Sequence, residues 1–205
     1  MFMGHRERLL AGAKRCLHEK GYGQTTARDI VAASGTNLAS IGYHFGTKEA
    51  LLNAAVIEAI DEWGQELERI FSSTSDIDSE PIGRFEAIWA RVIESFESHR
   101  ALWVSSVEAF AQTERSPELR EQLAEGQEEG RYGLVALFRK VEESTVDERQ
   151  ARTVGSFYLA LVSGLMVQWL VDPDRAPSGG DMADALRAIL DNARPAEQPM
   201  PPASS

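Results

Sequence analysis

The stretch TTARDIVAASGTNLASIGYHFGTKEALL, from Thr25 to Leu52, decides the fold of the amino-terminal part of the chain. Thr26 followed three residues later by Asp29 is typical of the amino-terminal cap of a helix. Gly35, about two turns further on, predicts the end of that helix, because glycine readily takes the left-handed conformation of a helix terminus. The first half of the stretch therefore predicts one short, capped helix.

A second short helix follows at once. Asn37 or Thr36 caps it, and Phe45 and Gly46 mark its end. Two short helices joined by a tight turn that contains glycine are typical of a helix-turn-helix, whose second helix lies in the major groove of DNA.

The rest of the chain also has the pattern of helices. An amphipathic helix from about His5 to Lys20, ended by Gly21 in the left-handed conformation, precedes the pair, and Thr47 begins a fourth helix that continues to about Phe71. We find no sustained alternation of period two and no Asn-Gly or Asp-Gly hairpin turn, so the sequence predicts an all-α protein. Later helices are predicted to begin at Pro81, at Pro117, at Thr145 with Glu148 as its capping box, and at Met182.

A helical wheel of about 100° per residue predicts which face of the third helix is exposed. The inward side holds Leu38, Ile41, Gly42 and Phe45. The outward side holds Asn37, Ala39, Ser40, Tyr43 and His44. Small residues let a backbone approach the groove, serine and asparagine can bond base edges, and tyrosine and histidine can reach phosphates. This outward face therefore favours contact with DNA.

Charge is unevenly distributed along the chain. The whole protein has a net charge of −11, but residues 1–52 contain seven basic and four acidic residues, a net +3, against −14 for the remainder. A basic end on an acidic body is consistent with a nucleic-acid end and a separate regulatory or solvating end. A chance fluctuation over a short window explains the same numbers.

Composition excludes several classes of protein. Cys16 is the single cysteine among 205 residues, so an internal disulfide framework and a multi-cysteine zinc site are excluded. The amino terminus has no apolar signal core, and no run approaches 18 consecutive apolar residues. We therefore expect a cytoplasmic protein that does not interact with membranes.

Two features of the body lead to further predictions. The helix from Val154 to Val171 is apolar almost all the way round, so it lies either at the centre of a bundle or with one face on a second subunit. The chain is also rich in large aromatic residues, which either line an apolar pocket or fill the core. The predicted pocket residues are Trp89, Phe96, Trp103, Phe110, Phe138 and Phe157.

The run IGYHFGTKEALL, from Ile41 to Leu52, resembles the DNA-binding signature of the tetracycline-repressor (TetR) family of bacterial transcriptional regulators, and the likeness extends from about Arg8. Many members have tyrosine where this chain has Gly42, and alanine where it has Val31. The first departure changes which aromatic residue meets the DNA backbone, and the second touches helix packing.

The resemblance implies an architecture as well as roles for single residues. It implies an N-terminal helix-turn-helix domain over residues 1–52, with the fourth helix as connector to about 71, and a ligand-binding and dimerisation domain over 53–193. Residues matching Thr26, Tyr43, His44 and Lys48 contact phosphates or groove edges, and those matching Thr36, Asn37, Ala39 and Ser40 lie at or near base edges. The last two helices pair across a homodimer. For that interface we predict Leu159, Val162, Met166, Trp169, Leu186 and Leu190. We expect residues 194–205, which are rich in proline, to be disordered.

The predicted function is that of a dimeric, ligand-responsive regulator, a repressor that reads a palindromic operator in double-stranded DNA and is released by an unknown small-molecule effector. An enzyme is disfavoured because the sequence has no nucleophile elbow, no phosphate-binding glycine loop and no metal-binding His-Glu spacing, and we expect no cofactor or metal. A helical ligand-binding or protein-interaction module with a vestigial DNA-binding head stays open as the alternative, because the acidic body repels DNA at long range.

Overall fold

The computed structural model describes residues 4–73 and 80–193, and these are helical with no β-strand among them. The prediction of disorder for residues 194–205 lies outside the described residues. The helices are α1 His5–Lys20, α2 Ala27–Ser34, α3 Leu38–Phe45, α4 Lys48–Ser73, α5 Pro81–Ser98, α6 Arg100–Phe110, α7 Pro117–Arg139, α8 Glu148–Gln150, α9 Ser156–Val171 and α10 Gly179–Ala193. A 3₁₀ turn at Glu143–Thr145 precedes α8, and a π-helical turn at Ala151–Gly155 joins α8 to α9.

Helices α1, α2 and α3, with the first half of α4 packed on them, form what we call the head. Helices α1 and α2 cross closely at Gly12, where an added Cβ would lie 2.8 Å from the Cβ of Ser34. A small core closes this unit, with Ile30 of α2 and Leu51 and Leu52 of α4 fully buried. The head therefore has its own hydrophobic core.

The helix ends in the head are formed by the residues that the sequence predicts. Asp29 N donates to Thr26 Oγ1 at 3.2 Å and Thr26 N donates to Asp29 Oδ2 at 2.9 Å, a complete capping box. Gly35 takes the left-handed conformation, with φ 62° and ψ 33°. At α3 the cap is Asn37, whose Oδ1 accepts from Ser40 N at 3.0 Å.

Three predicted helix ends are wrong in detail. The last helix begins at Gly179, three residues before the predicted Met182. Gly21 has a positive φ of 77°, but its ψ of 172° lies outside the left-handed helical region, because the chain leaves α1 in an extended direction. Thr145 does not cap the next helix. Its Oγ1 donates to the carbonyl of Glu142 at 2.7 Å within the 3₁₀ turn, and Asp147 with Gln150 forms the capping box two residues later.

Helices α5, α6, α7, α9 and α10, with the second half of α4, form what we call the body. Its core is mainly aromatic, with Trp89 and Phe96 of α5 fully buried. Phe138 of α7 stacks on Tyr158 of α9, with ring centroids 3.9 Å apart. This core joins the helices of the body to one another and to the connector α4.

The segment 148–171 is long and apolar enough to cross a bilayer by length and composition alone. Core helices of soluble proteins pass the same test, and Val162, Leu165 and Met166 on one side of α9 are buried in the protein's own core. The opposite side is exposed and includes Phe157 and Val171. Helix α9 is therefore not enclosed on all sides by its own chain.

Candidate nucleic-acid interface

The exposed face of α3 is built between two glycines. Gly35 before the helix and Gly46 after it both have positive φ, at 62° and 77°, so the chain turns sharply at each end. Asn37 uses its side-chain carbonyl for the cap, since Oδ1 accepts from the backbone N–H and the hydroxyl of Ser40. The side-chain amide N–H groups of this exposed asparagine are the part of it that is left for a partner.

Tyr43 and Leu38 are the most exposed large side chains of α3, at 85% and 54% exposure. The exposed face also includes Asn37, Ala39 and Gly42. His44 is half-buried, and its ring lies edge-on to that of Tyr43, with centroids 4.8 Å apart. The helix thus presents one aromatic hydroxyl, one aliphatic side chain and a flat region of small residues.

The helical wheel was wrong for three residues of α3. Leu38 and Gly42 were assigned inward and are exposed, whereas Ser40 was assigned outward and is only 8% exposed. A helical wheel gives the angular order of residues around a helix but not the direction of the protein core. Centring the wheel on Leu38 rotated the predicted buried face of α3 by somewhat less than one residue step of about 100°. The correct centre lies near Ile41, which is buried.

The side chain of Ser40 faces α1 and not the solvent. Its Oγ donates to Asn37 Oδ1 at 3.2 Å and lies 3.4 Å from Nδ1 of His5 at the start of α1. The predicted role of Ser40 at a base edge remains a prediction, and these contacts give its hydroxyl a second role in positioning α3.

Lys48, at the start of α4, is held against the loop before α2. Its Nζ donates to the carbonyl of Thr25 at 3.1 Å and lies 3.3 Å from the carboxylate of Glu49. The ammonium therefore fixes the start of α4 beside the amino terminus of α2, next to Thr26. The predicted phosphate contact of Lys48 is not tested by this geometry.

Charged groups also fix the amino terminus of α2. Asp29 forms an ion pair with Lys20 of α1 and accepts hydrogen bonds from Thr26. These partners hold the pKa of the Asp29 carboxyl well below its ordinary value, with Lys20 the larger cause. Arg28, in the first turn of α2, is exposed and was not among the predicted contacts, although its place two residues after the cap Thr26 is visible in the sequence.

The residues predicted for an effector pocket divide into two groups. Trp89, Phe96, Trp103 and Phe138 are buried in the core of the body, where Phe96 meets Trp103 with centroids 5.6 Å apart. Phe110 and Phe157 are exposed. A cavity of about 250 Å³ lies elsewhere, between α1, α4 and the junction of α5 and α6, and none of the six residues lines it. Their role as an effector pocket remains a prediction.

The residues predicted for a dimer interface lie on different sides of α9 and α10. Val162 and Met166 are buried in the core of their own chain, and Leu159, Trp169 and Leu186 are half-buried. Leu190 is exposed, as is its neighbour Ile189. Among the described residues, no group of three or more histidine, cysteine, aspartate or glutamate side chains is placed to hold a metal ion.

The sequence matches known families over both parts of the chain. Residues 9–55 match the family described as bacterial regulatory proteins, tetR family, and residues 80–192 match the tetracyclin repressor-like C-terminal domain. The chain is similar to the HTH-type transcriptional regulator TtgR of Pseudomonas putida, at 25% identity over 194 residues, which is 92% of this chain and 91% of TtgR.

A second relative matches the head alone. The HTH-type transcriptional repressor AcnR of Corynebacterium efficiens is 42% identical over 53 residues, covering 26% of this chain and 28% of AcnR. Among solved structures, the multidrug binding protein EbrR complexed with imidazole superposes with a TM-score of 0.62 at 23% identity, covering 96% of this chain and 98% of EbrR. The all-α fold and both domain matches agree, and the chain belongs to the TetR family of bacterial transcriptional regulators.

Proposed function

We propose that the protein is a dimeric, ligand-responsive repressor whose two copies of α3 lie in successive major grooves of a palindromic operator. The observation that carries this proposal is the exposed face of α3, where Tyr43 is 85% exposed beside small residues on a helix fixed at both ends. Solvent alone does not favour an exposed Leu38 and Tyr43 beside an open Gly42. A groove does, because the backbone can come close and the large side chains can reach the DNA.

Each exposed residue of α3 suits a particular contact. Tyr43 reaches a phosphate through its hydroxyl, and Arg28, exposed in the first turn of α2, contacts the DNA backbone. Asn37 offers amide donors to acceptors on base edges. Leu38 and Ala39 are suited to apolar contact with the methyl group of thymine, which distinguishes thymine from the other bases in the major groove.

The dimer is proposed to form through the exposed side of α9. Phe157, Ala160, Gly164, Val167 and Val171 are all exposed and follow one another at spacings of three and four residues, which is the seam of two packed helices. The small residues at 160 and 164 allow the two helices to approach closely. Ile189 on α10 is exposed as well. A two-fold interface of this kind is the commonest way to cover such a surface.

A small-molecule effector is part of the proposal. TetR-family regulators bind operators and small effectors, and the similar protein EbrR has been solved with imidazole. Effector binding in this chain is proposed to favour a conformer in which the two heads are wrongly spaced for the operator. The proposal places the protein in the cytoplasm, where its DNA is.

The alternative is a ligand-binding or protein-interaction module whose head no longer binds DNA, and the acidic body is the observation that favours it. The dimer would have twice the −11 net charge of one chain. Salt screens charges over about 8 Å at physiological ionic strength. The acidic body therefore only weakly repels DNA that is bound at the head.

The salt dependence of DNA binding tests the proposal. We expect the affinity of the wild type for a duplex to fall steeply as salt rises, by fluorescence anisotropy, since phosphate contacts release counterions. Arg28→Ala should reduce the slope of log K against log salt by about 0.9 for each half-site, and Arg120→Ala, an exposed arginine of α7, should leave it unchanged. Weak binding that is indifferent to salt would support the vestigial head instead.

A further inference from the structure

We propose that a cavity between the head and the body binds a small amine with a single ring, and that this binding weakens the hold of the head on DNA. The cavity has a volume of about 250 Å³. It is open to solvent on one side and is lined by α1 on the head side, by the middle of α4, and by the end of α5 and the start of α6 on the body side. The predicted aromatic pocket of the body is a different place, and none of its residues takes part here.

One residue of the cavity lining is a buried serine whose hydroxyl has no partner. Ser105 of α6 is 0% exposed and lines the cavity, and its Oγ has no hydrogen-bond partner among the described residues. Its neighbour Ser106 is satisfied in the ordinary way, since its Oγ donates to the carbonyl of Leu102 at 2.9 Å. A buried hydroxyl left unpaired is unfavourable, so Ser105 would gain a partner from a ligand whose polar group displaces the side chains that cover it.

The walls of the cavity are apolar. Leu17 of α1, Trp63 of α4 and Leu102 of α6 line it. The indole N–H of Trp63 donates to Ser95 Oγ at 2.9 Å, so its polar atom is already satisfied. The volume lies below the range of about 300–1,000 Å³ that drug-sized ligands occupy, which limits the ligand to about one ring.

The rim of the cavity carries an excess of carboxylates. Glu62 and Glu66 of α4 line it, and Glu58 lies one turn before Glu62. Lys14 of α1 forms ion pairs with two of these carboxylates, with Nζ 2.7 Å from Glu62 and 3.2 Å from Glu58. One ammonium therefore faces two carboxylates before Glu66 is counted.

Glu66 has a histidine partner. Nε2 of His99 lies 3.3 Å from its carboxylate, while Nδ1 of His99 lies 2.9 Å from the carbonyl of Ser95. Glu62 and Glu66 line the cavity beside the single ammonium of Lys14, and about half of the Glu66 side chain remains exposed. An entering ammonium group can bond Glu66 directly, whereas an entering carboxylate is repelled. This charge, together with the apolar walls, selects a cationic amine.

The position of the cavity connects its occupation to the head, and this step rests on the proposed function. The ion pair of Lys14 with Glu62 ties α1 to α4, and Gly23 N donates to the carboxylate of Glu108 on α6 at 2.9 Å across the same boundary. An ammonium at the rim competes with Lys14 for Glu62 and separates α1 from α6. The head is then less firmly oriented, and its DNA affinity falls. DNA must lower the affinity for the amine by the same factor.

Calorimetric titration without DNA tests the site. The probes are phenethylamine and 3-phenylpropionate, which share a ring and a chain length and differ in the sign of their charge. We expect phenethylamine to bind and 3-phenylpropionate not to bind. Glu66→Gln should weaken phenethylamine binding about tenfold. Glu128→Gln, an exposed carboxylate of α7, is the matched control and should not change it. Equal binding of both probes, no binding of either, or an unchanged affinity in Glu66→Gln would overturn the site.

A second variant tests the cavity itself, and a second titration tests the coupling. Ala59→Trp should fill the space from α4 and abolish phenethylamine binding while Tm stays within a few degrees. Binding that survives Ala59→Trp would place the amine elsewhere and overturn the assignment. Where DNA binding is intact, saturating phenethylamine should raise the Kd for a duplex, and an unchanged Kd would refute the coupling. Calorimetry needs no DNA, so failure of the head to bind DNA is separate from failure of the site.

Discussion

Helices α3 and α9 both expose side chains that solvent alone does not favour, but of different kinds. Helix α3 has eight residues and exposes a tyrosine, one leucine and small residues, with a side-chain cap at its start. Helix α9 has sixteen residues and exposes a continuous apolar seam. The difference points to two partners: a polar groove that a backbone can enter, and a second copy of the same apolar surface.

The largest expected effect is on the α9 seam. Val167→Asp would bury one charge without a partner from each chain in the proposed interface, at about 3–5 kcal/mol each, so we expect the dimer dissociation constant to rise at least about 10⁴-fold. Sedimentation velocity over a range of concentrations measures it. Val141→Asp changes an equally exposed valine at the end of α7 and should leave the association intact. If both variants sediment like the wild type, the seam is not an interface.

On α3 the largest effect is expected at Tyr43. Tyr43→Ala removes the proposed phosphate contact, so we expect DNA affinity to fall by about 1.5–3 kcal/mol for each half-site, whatever the sequence. Tyr43→Phe retains the ring and loses the hydroxyl, and anisotropy titrations of the two variants separate the contributions. An alanine variant that binds as tightly as the wild type would mean that this face of α3 does not meet the duplex.

Leu38 should contribute a smaller effect that depends on sequence. Leu38→Ala should weaken binding to an operator with thymine at the contacted position by about 1 kcal/mol. Replacing that thymine by deoxyuridine should cost the wild type a similar amount and the variant almost nothing, in a double-mutant cycle of Kd values. Additive losses would show that Leu38 and the methyl group do not touch.

Gly42 tests how closely the backbone of α3 approaches DNA. An added Cβ meets nothing within 4 Å, so Gly42→Ala should stabilise the protein by about 0.5–1 kcal/mol in urea unfolding, because glycine lowers helix stability. It should also weaken DNA binding if the groove lies against it. A Cβ added at Gly130 in α7 also meets nothing within 4 Å. Gly130→Ala should therefore stabilise the fold without weakening DNA binding. A destabilised Gly42→Ala variant would contradict the exposed placement of this face.

The smallest expected effect is the dependence of the head on pH. Lys20 and Thr26 lower the pKa of Asp29, so the ion pair stabilises the folded head fully above the ordinary aspartate pKa of about 3.9. The contribution should diminish as pH falls below that value towards the folded pKa. Urea unfolding of the wild type and Asp29→Asn should therefore differ by a constant amount at pH 5–7 and converge in stronger acid. A difference in the free energy of unfolding that grows as pH falls would contradict the lowered pKa of Asp29.

Much of the head could be predicted from local chemistry. The capping box of Thr26 and Asp29 and the left-handed Gly35 depend on residues within four positions of one another, and the structure confirms them. The direction of the core around α3 could not be predicted in this way, because it depends on α1 and α4. Leu38 and Ser40 were therefore placed on the wrong sides.

Helix α9 shows a different limit. A helix that is apolar all round gives no periodic signal, so the sequence could not show which side meets its own chain and which side is exposed. The buried Val162 and the exposed Val167 are equally apolar, and contacts with α5, α6 and α7 decide between them. The cavity at the head–body junction was missed for a related reason, since its lining comes from four helices and extends from Lys14 to Ser105 in the sequence.

Selection of bound duplexes from a random DNA pool tests whether a dimer of this protein reads DNA through α3. Wild type and Tyr43→Ala are taken through the same rounds at moderate salt. We expect the wild type to enrich an inverted repeat with half-sites about one helical turn or a multiple of it apart, and Tyr43→Ala to enrich it far less. Enrichment of no motif, or of a motif without symmetry that the variant selects equally well, would contradict a dimer that reads DNA through α3.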